Sequence, residues 1–310
     1  MANLKELTKK RDIITPGHRM CAGCMAPVVV RQALNAVKTP VVVGSATGCL
    51  EVATTIYPYT AWNCSFIHNA FENSAATISG VETAYRALKK KGKIKDEIKF
   101  IAMGGDGGTY DIGLQSLSGA MERGHNMVYI CYDNEAYMNT GTQRSSATPM
   151  GASTTTAPAG KKVPGKTVFQ KDLTGIMASH RIPYVAQASP HNWHDLIAKM
   201  EKALEIDGPC FLNIISPCPR GWMTKTEDGI MMAKLAVETC FWPLYEVEDG
   251  RRWKVNYKPS EKKPITDWIN IQGRFKHLQK PENKHIVERM QEKVDRDWND
   301  LLKKEECLSK

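Results

Sequence analysis

Between residues 40 and 216 the chain repeatedly places a short β-branched, apolar run, ended by Gly, Ser, Asp or Cys, beside a stretch of helical periodicity. Such runs have no polar side, so the strands they form must be covered on both faces, and strands joined through helices run parallel. Strands are expected at 40–46 (PVVVGSA), 99–104 (KFIAMG), 126–133, 184–189 and 210–216, with helices at 71–91, 112–123, 173–180, 194–206 and 231–239. The expected fold is therefore α/β, a parallel sheet with helices on both faces. After about residue 249 the pattern fades, which divides the 310 residues into a main domain, 1–249, and a basic C-terminal arm, 250–310.

Charge and composition narrow the function classes. The net charge is +9, from 42 Lys+Arg against 33 Asp+Glu, and residues 251–310 carry 16 of the former and 10 of the latter, or +6. That excess is interleaved with acids and with Trp253, Trp268 and Trp298 and contains no base-reading motif, so the arm is expected to face a partner protein rather than nucleic acid. No 18-residue apolar span and no signal-peptide core occur, so a cytoplasmic, membrane-free protein is expected. Nine cysteines in a reducing compartment are free thiols or ligands, not bridges.

The sequence GGDGGTYDIG, residues 104–113, joins an expected strand to an expected helix. A glycine-rich turn there binds phosphate, because helix amides point at the anion and the missing side chains let it approach. Asp106 among the glycines would repel a pyrophosphate unless a divalent cation lay between them, which favours a magnesium-bridged diphosphate over a dinucleotide. Asn134 follows 28 residues later, at the end of the next strand, so both side chains are expected at one carboxyl edge of the sheet, where such folds bind ligands. The segment from 138 to about 171, rich in Gly, Ala, Ser, Thr and Pro, is long for a structureless connection and reads as an active-site loop.

Cys21 and Cys24 form a C-x-x-C pair, Cys49 follows the first strand, and Cys218 follows the last expected one. Four thiolates suit a tetrahedral zinc or an iron-sulfur cluster, and the absence of a second C-x-x-C leans toward the cluster. Cys64, Cys131, Cys210 and Cys240 read as small core residues. His68 is given a minor role, and His191 and His194 read as capping or surface residues.

Gly105-Asp106-Gly107 followed by Asn134 resembles the pattern of thiamine-diphosphate enzymes. The stretches CAGC, GSATGCLE, YPYTAW, HNAFEN, GGDGGTYDIG, CYDNEAYMNTG, QRSSATP and VETCFWPLYEVE, in order from about Thr15 to Asp249, resemble the β subunit of 2-oxoacid:ferredoxin oxidoreductases, most of all the pyruvate type. The resemblance implies a thiamine-diphosphate-binding fold in which Asp106, the Asn134 side chain and the Ala136 carbonyl ligate Mg2+. It implies that Gly105 and Gly107 line the diphosphate and that Asn139 and Thr140 reach toward the thiazolium and the bound acid. Cys21, Cys24, Cys49 and Cys218 would hold one 4Fe-4S cluster, with Cys49 nearest the cofactor. An α subunit would supply the glutamate that activates the aminopyrimidine, a γ/δ ferredoxin-like subunit would complete the complex, and ferredoxin would take the electrons.

Two departures bear on substrate: Met25 follows the second cysteine where the family usually has Gly, and Asn63-Cys64-Ser65 stands where Pro and Trp are expected. Pyruvate with coenzyme A is the default pair, and oxalate, cleaved to carbon dioxide without coenzyme A, is the alternative. A non-redox thiamine-diphosphate carboligase or decarboxylase would leave the four cysteines without a purpose. A cluster-binding module without catalysis would leave Asp106 and Asn134 unexplained.

Overall fold

The computed structural model describes residues 3–308. Its strands are β1 Val41–Ala46, β2 Ser65–Asn69, β3 Lys99–Gly105, β4 Val128–Asp133, β5 Tyr184–Ala188, β6 Cys210–Ile215, β7 Tyr245–Glu248 and β8 Arg252–Val255. Its α-helices are α1 Leu4–Leu7, α2 Ala26–Leu34, α3 Cys49–Thr54, α4 Ser74–Lys90, α5 Leu114–Glu122, α6 Leu173–Ser179, α7 Trp193–Glu205, α8 Pro219–Trp222, α9 Gly229–Glu238, α10 Thr266–Ile269 and α11 Lys284–Leu308. One sheet runs in the order β2-β1-β3-β4-β6-β5-β7-β8. The first six strands are mutually parallel and the last two add antiparallel at one edge.

The central strands β4, β5 and β6 are buried at every position, as their largely apolar runs require, with Gln187 and Asn213 held inside by hydrogen bonds to Thr174 and Tyr110. One sheet face carries Val43, Ile101, Ile130 and Leu212 beneath α2 and α7. The other carries Phe100, Ala102, Tyr129 and Phe211 beneath α4, α5 and α6. Each such side chain contributes roughly 1.5–3 kcal/mol when withdrawn from water. In α7, Leu196, Ile197, Met200, Ala203 and Leu204 line the buried face, and the Asn192 side chain caps the start by accepting from the Asp195 amide at 3.3 Å.

All five expected strands are present. Not expected were β2, β7 and β8. These carry Ser65, His68, Glu248, Arg252 and Lys254 on exposed or half-exposed faces near the sheet margins, and a buried Glu246, so their apolar pattern is broken. The expected helix over 112–123 begins instead as a π-turn, Gly107–Ile112, directly after Asp106. Such turns recur at functional sites.

The C-terminal segment departs from the expected arm. A boundary at 249 falls inside the β7–β8 hairpin, and Trp268, Phe275, Leu278, Ile286 and Met290 are buried in a third cluster with Trp222, Met232 and Trp242. The segment is basic on its surface, but its apolar residues have nowhere to be buried except against the main domain. Among the described residues, no helix is long and apolar enough to cross a membrane.

Candidate active site

Strands β3 and β4 are neighbours, with Gly105 opposite Tyr132, so Asp106 and Asn134 emerge side by side from one carboxyl edge. Glu135, just beyond, takes φ 65°, a left-handed conformation that costs a residue with a Cβ about 1 kcal/mol. Three contacts hold it there. Its amide donates to Asp133 Oδ1 at 2.9 Å, its carbonyl accepts from Thr148 Oγ1 at 2.6 Å, and its carboxylate pairs with Arg274, both side chains being 2 % exposed. Arg274 lies in turn over the rings of Trp222, at 4.2 Å, and Phe275, at 4.9 Å.

The turn at Glu135 points the Asn134 side chain and the Ala136 carbonyl at the same place. Asn134 Oδ1 lies 2.9 Å from Asp106 Oδ1 and 2.8 Å from the Ala136 oxygen. Turned over, the amide would donate to both. The Asp106 carboxylate, the Asn134 side chain and the Ala136 carbonyl therefore meet at one place, and with the amide oxygen facing inward they would offer a cation three oxygens. In octahedral magnesium coordination, bonds of 2.0–2.1 Å place adjacent oxygens about 2.9 Å apart.

Asp106 itself is fully buried. Ser145 Oγ donates to its Oδ2 at 2.5 Å and the Asn134 amide to its Oδ1 at 3.3 Å. Burial pushes its carboxyl well above the usual range, and the nearby Asp133 charge adds to this. A dication is the kind of partner that reverses both effects.

Cys49, Gly105, Asp106, Gly107, Asn134, Ala136 and Asn139 line one cleft, with Thr47, Gly48, Tyr132 and Tyr137. Among the described residues lining it there is no Glu, Lys or Arg. Thr140 stands apart from the other expected residues: it lies outside this cleft, exposed, with its hydroxyl turned onto the Gln143 side chain. The bridge between Tyr137 and Gln143 closes the turn and leaves Thr140 at its tip.

The four cysteines come from three places in the chain. Cys49 opens α3 after β1. The loop carrying Cys21 and Cys24 is tied to that of Cys218 by the Met25 amide, which donates to the Pro217 carbonyl at 3.2 Å. Cys218 caps α8, its Sγ accepting from the Gly221 amide at 3.4 Å. Burial pushes the Cys24 and Cys49 thiols up to about 12 and raises Cys218 as well. In every pair of the four, one thiol's charge is felt by the other. Among the described residues, no three His, Cys, Asp or Glu side chains close on a point fit for one metal ion. A single zinc would need its sulfurs about 3.8 Å apart, given 2.3 Å bonds. The four thiols are thus near one another without closing on a single point. Of the remaining cysteines, Cys131, Cys210 and Cys240 are buried as expected, Cys64 is half-buried and Cys307 exposed.

Several site residues were not singled out from sequence. Ser145 on Asp106 lies within QRSSATP, a stretch noted only for its resemblance. Lys166, 4 % exposed, donates from Nζ to the carbonyls of Ser145, Ser146 and Thr148 and so fixes the loop that carries Ser145. His68 pairs through Nδ1 with buried Glu51, and its Nε2 lies 3.4 Å from Thr47 Oγ1 at the cleft rim. Arg274 had no local signal at all.

Residues 43–214 match the family described as thiamine pyrophosphate enzyme, C-terminal TPP binding domain. Over 97 % of its length the chain is 56 % identical to pyruvate synthase subunit PorB of Thermotoga maritima, covering 95 % of that protein. The chain belongs to the β subunits of the 2-oxoacid:ferredoxin oxidoreductases. Other similar β subunits are the PorB of Methanocaldococcus jannaschii, 51 % identical over 92 % of this chain and 95 % of that one, and ketoisovalerate oxidoreductase subunit VorB of Pyrococcus horikoshii, 44 % identical over 93 % and 91 %. A 2-oxoglutarate:ferredoxin oxidoreductase from Magnetococcus marinus shares the fold, with a TM-score of 0.54 at 19 % identity over 71 % of this chain and 77 % of that one. As a β subunit of this family the chain is part of a thiamine-diphosphate-dependent oxidoreductase complex.

Proposed function

We propose that Asp106, Asn134 and the Ala136 carbonyl hold the Mg2+ that bridges to thiamine diphosphate, and that Cys21, Cys24, Cys49 and Cys218 hold one 4Fe-4S cluster. The complex would decarboxylate a 2-oxoacid oxidatively, pyruvate with coenzyme A, and pass electrons singly through this cluster to ferredoxin, in the cytoplasm. The observation that carries the reading is the meeting of the Asp106 carboxylate and the Ala136 carbonyl at the Asn134 side-chain amide, 2.9 and 2.8 Å from it, beside a glycine turn. The diphosphate and water would complete the octahedron.

When bound, thiamine diphosphate supplies the electron sink for decarboxylation. The residues of this chain do the rest of its share. Gly105 and Gly107, packed without side chains against Tyr132 and Tyr137, would present backbone to the diphosphate at the start of the π-turn, and Ser145 fixes the rotamer of Asp106 by donating to the oxygen that does not face Asn134. Asn139 lines the same cleft, within reach of a bound acid. A cleft without Glu, Lys or Arg has neither an acid for the aminopyrimidine nor a cation for the substrate carboxylate. An α subunit closing over this edge would supply both, and a γ/δ subunit would relay electrons. Pyruvate is favoured because the most similar proteins named above are pyruvate synthase subunits.

The test is reduction of ferredoxin or viologen by the purified complex, with pyruvate, 2-oxoisovalerate, 2-oxoglutarate and oxalate, each with and without coenzyme A. Coenzyme-A-dependent turnover of pyruvate above the others is expected. Reduction by oxalate without coenzyme A would replace the substrate assignment.

A further inference from the structure

Tyr132, near the end of β4, is 1 % exposed, yet its hydroxyl has no hydrogen-bond partner among the described residues. A buried unpaired hydroxyl is costly where phenylalanine would fill the same space. Two glycines make room for it. The ring crosses over Gly105, where a Cβ would lie 3.3 Å from Cε2, and the hydroxyl ends against Gly48, where a Cβ would lie 2.9 Å from the oxygen. The phenol thus spans from the diphosphate turn on β3 to the end of β1, and it stops against Gly48, the residue before Cys49. It shares the cleft wall with Cys49.

Resting on the four-cysteine cluster reading above, we propose that the Tyr132 hydroxyl donates a hydrogen bond to Cys49 Sγ when that sulfur ligates the cluster, and so raises the cluster's reduction potential. Reduction adds one electron to the cluster, and a positive dipole aimed at a ligand sulfur stabilises the more negative form. Tyr132 lines the same cleft as the diphosphate turn and Asn134. It would favour uptake of each electron from the reduced cofactor over its return.

The experiment is a redox titration of the anaerobically purified complex, followed by the electron paramagnetic resonance of the reduced cluster, on wild type, Tyr132→Phe and Tyr129→Phe. Tyr129 is the control, a buried phenol on the opposite sheet face whose hydroxyl already pairs with Thr109 Oγ1 at 3.1 Å. Expected are unchanged iron and sulfide in both variants, a more negative midpoint for Tyr132→Phe, and a wild-type midpoint for Tyr129→Phe. Equal midpoints for Tyr132→Phe and wild type overturn the inference, as does an equal shift in the control. Loss of iron from Tyr132→Phe overturns it too, since a tuning donor is not needed to hold the cluster. Weakened thiamine diphosphate retention at an unchanged potential would assign the phenol to the diphosphate instead. Wild-type complex without iron in this chain would instead defeat the cluster reading itself.

Discussion

Replacing Arg274 by Met would strand Glu135, a buried carboxylate that anchors the left-handed turn between Asn134 and Ala136. Both partners are 2 % exposed, and removing one member of such a pair costs roughly 3–5 kcal/mol, because the remaining charge is left desolvated. Met would keep part of the contact with Trp222 and Phe275 but none of the charge. For a chain of this size, where 1 kcal/mol moves the midpoint by about 2 °C, the melting temperature should fall by about 6–10 °C. The loss should depend on pH. Burial already raises the Glu135 carboxyl above its usual value, with Arg274 opposing it. Without Arg274 the folded value rises further, so the variant is least impaired near or below pH 4.5, where the carboxyl is neutral in both states. The deficit then grows as pH rises through the folded value. Melting at pH 5 and pH 8, with the double variant Glu135→Met, Arg274→Met, checks this. The double variant should recover most of the stability and still bind Mg2+ and thiamine diphosphate less tightly than wild type, since the turn has lost its anchor. A single variant as stable as wild type at pH 8, or a deficit of equal size at both pH values, would refute the assignment.

Asp106→Ala should abolish retention of Mg2+ and thiamine diphosphate while leaving iron content and visible absorbance intact, as read by metal analysis and cofactor assay after gel filtration. Cys24→Ser should do the reverse, and joint loss of both cofactors in either variant would count against two separable sites. Lys166 is pushed down to about 8 by burial, against 10.5 when unfolded. The folded chain therefore carries an unfavourable buried charge below pH 8. Relative to Lys166→Met, the wild type should gain stability between about pH 8 and 10.5, where the unfolded chain binds more protons, and flat difference curves in denaturant titrations would contradict this.

The parallel sheet was legible because β1, β3, β4, β5 and β6 are short enough to be read locally and apolar on both faces, a pattern with one physical meaning. Asp106 and Asn134 were legible because a carboxylate in a glycine turn, one crossover before an amide, is also a local pattern. The marginal strands β2, β7 and β8 were not, since Ser65, Glu248 and Lys254 on their wetter faces hide the period. Arg274 pairs with a residue 139 positions away, Tyr132 reaches Gly48 across an intervening strand, and the Trp268 segment folds back where a basic arm was expected. The sequence alone determined what each strand must bury and which residue types stood ready for a dication and for iron and sulfur. Only the tertiary structure decided which oxygens meet, which cation anchors the turn and where the C-terminal segment lies. Local periodicity is set by neighbouring residues, whereas charge pairing and burial at a distance depend on which surfaces the folded chain brings together.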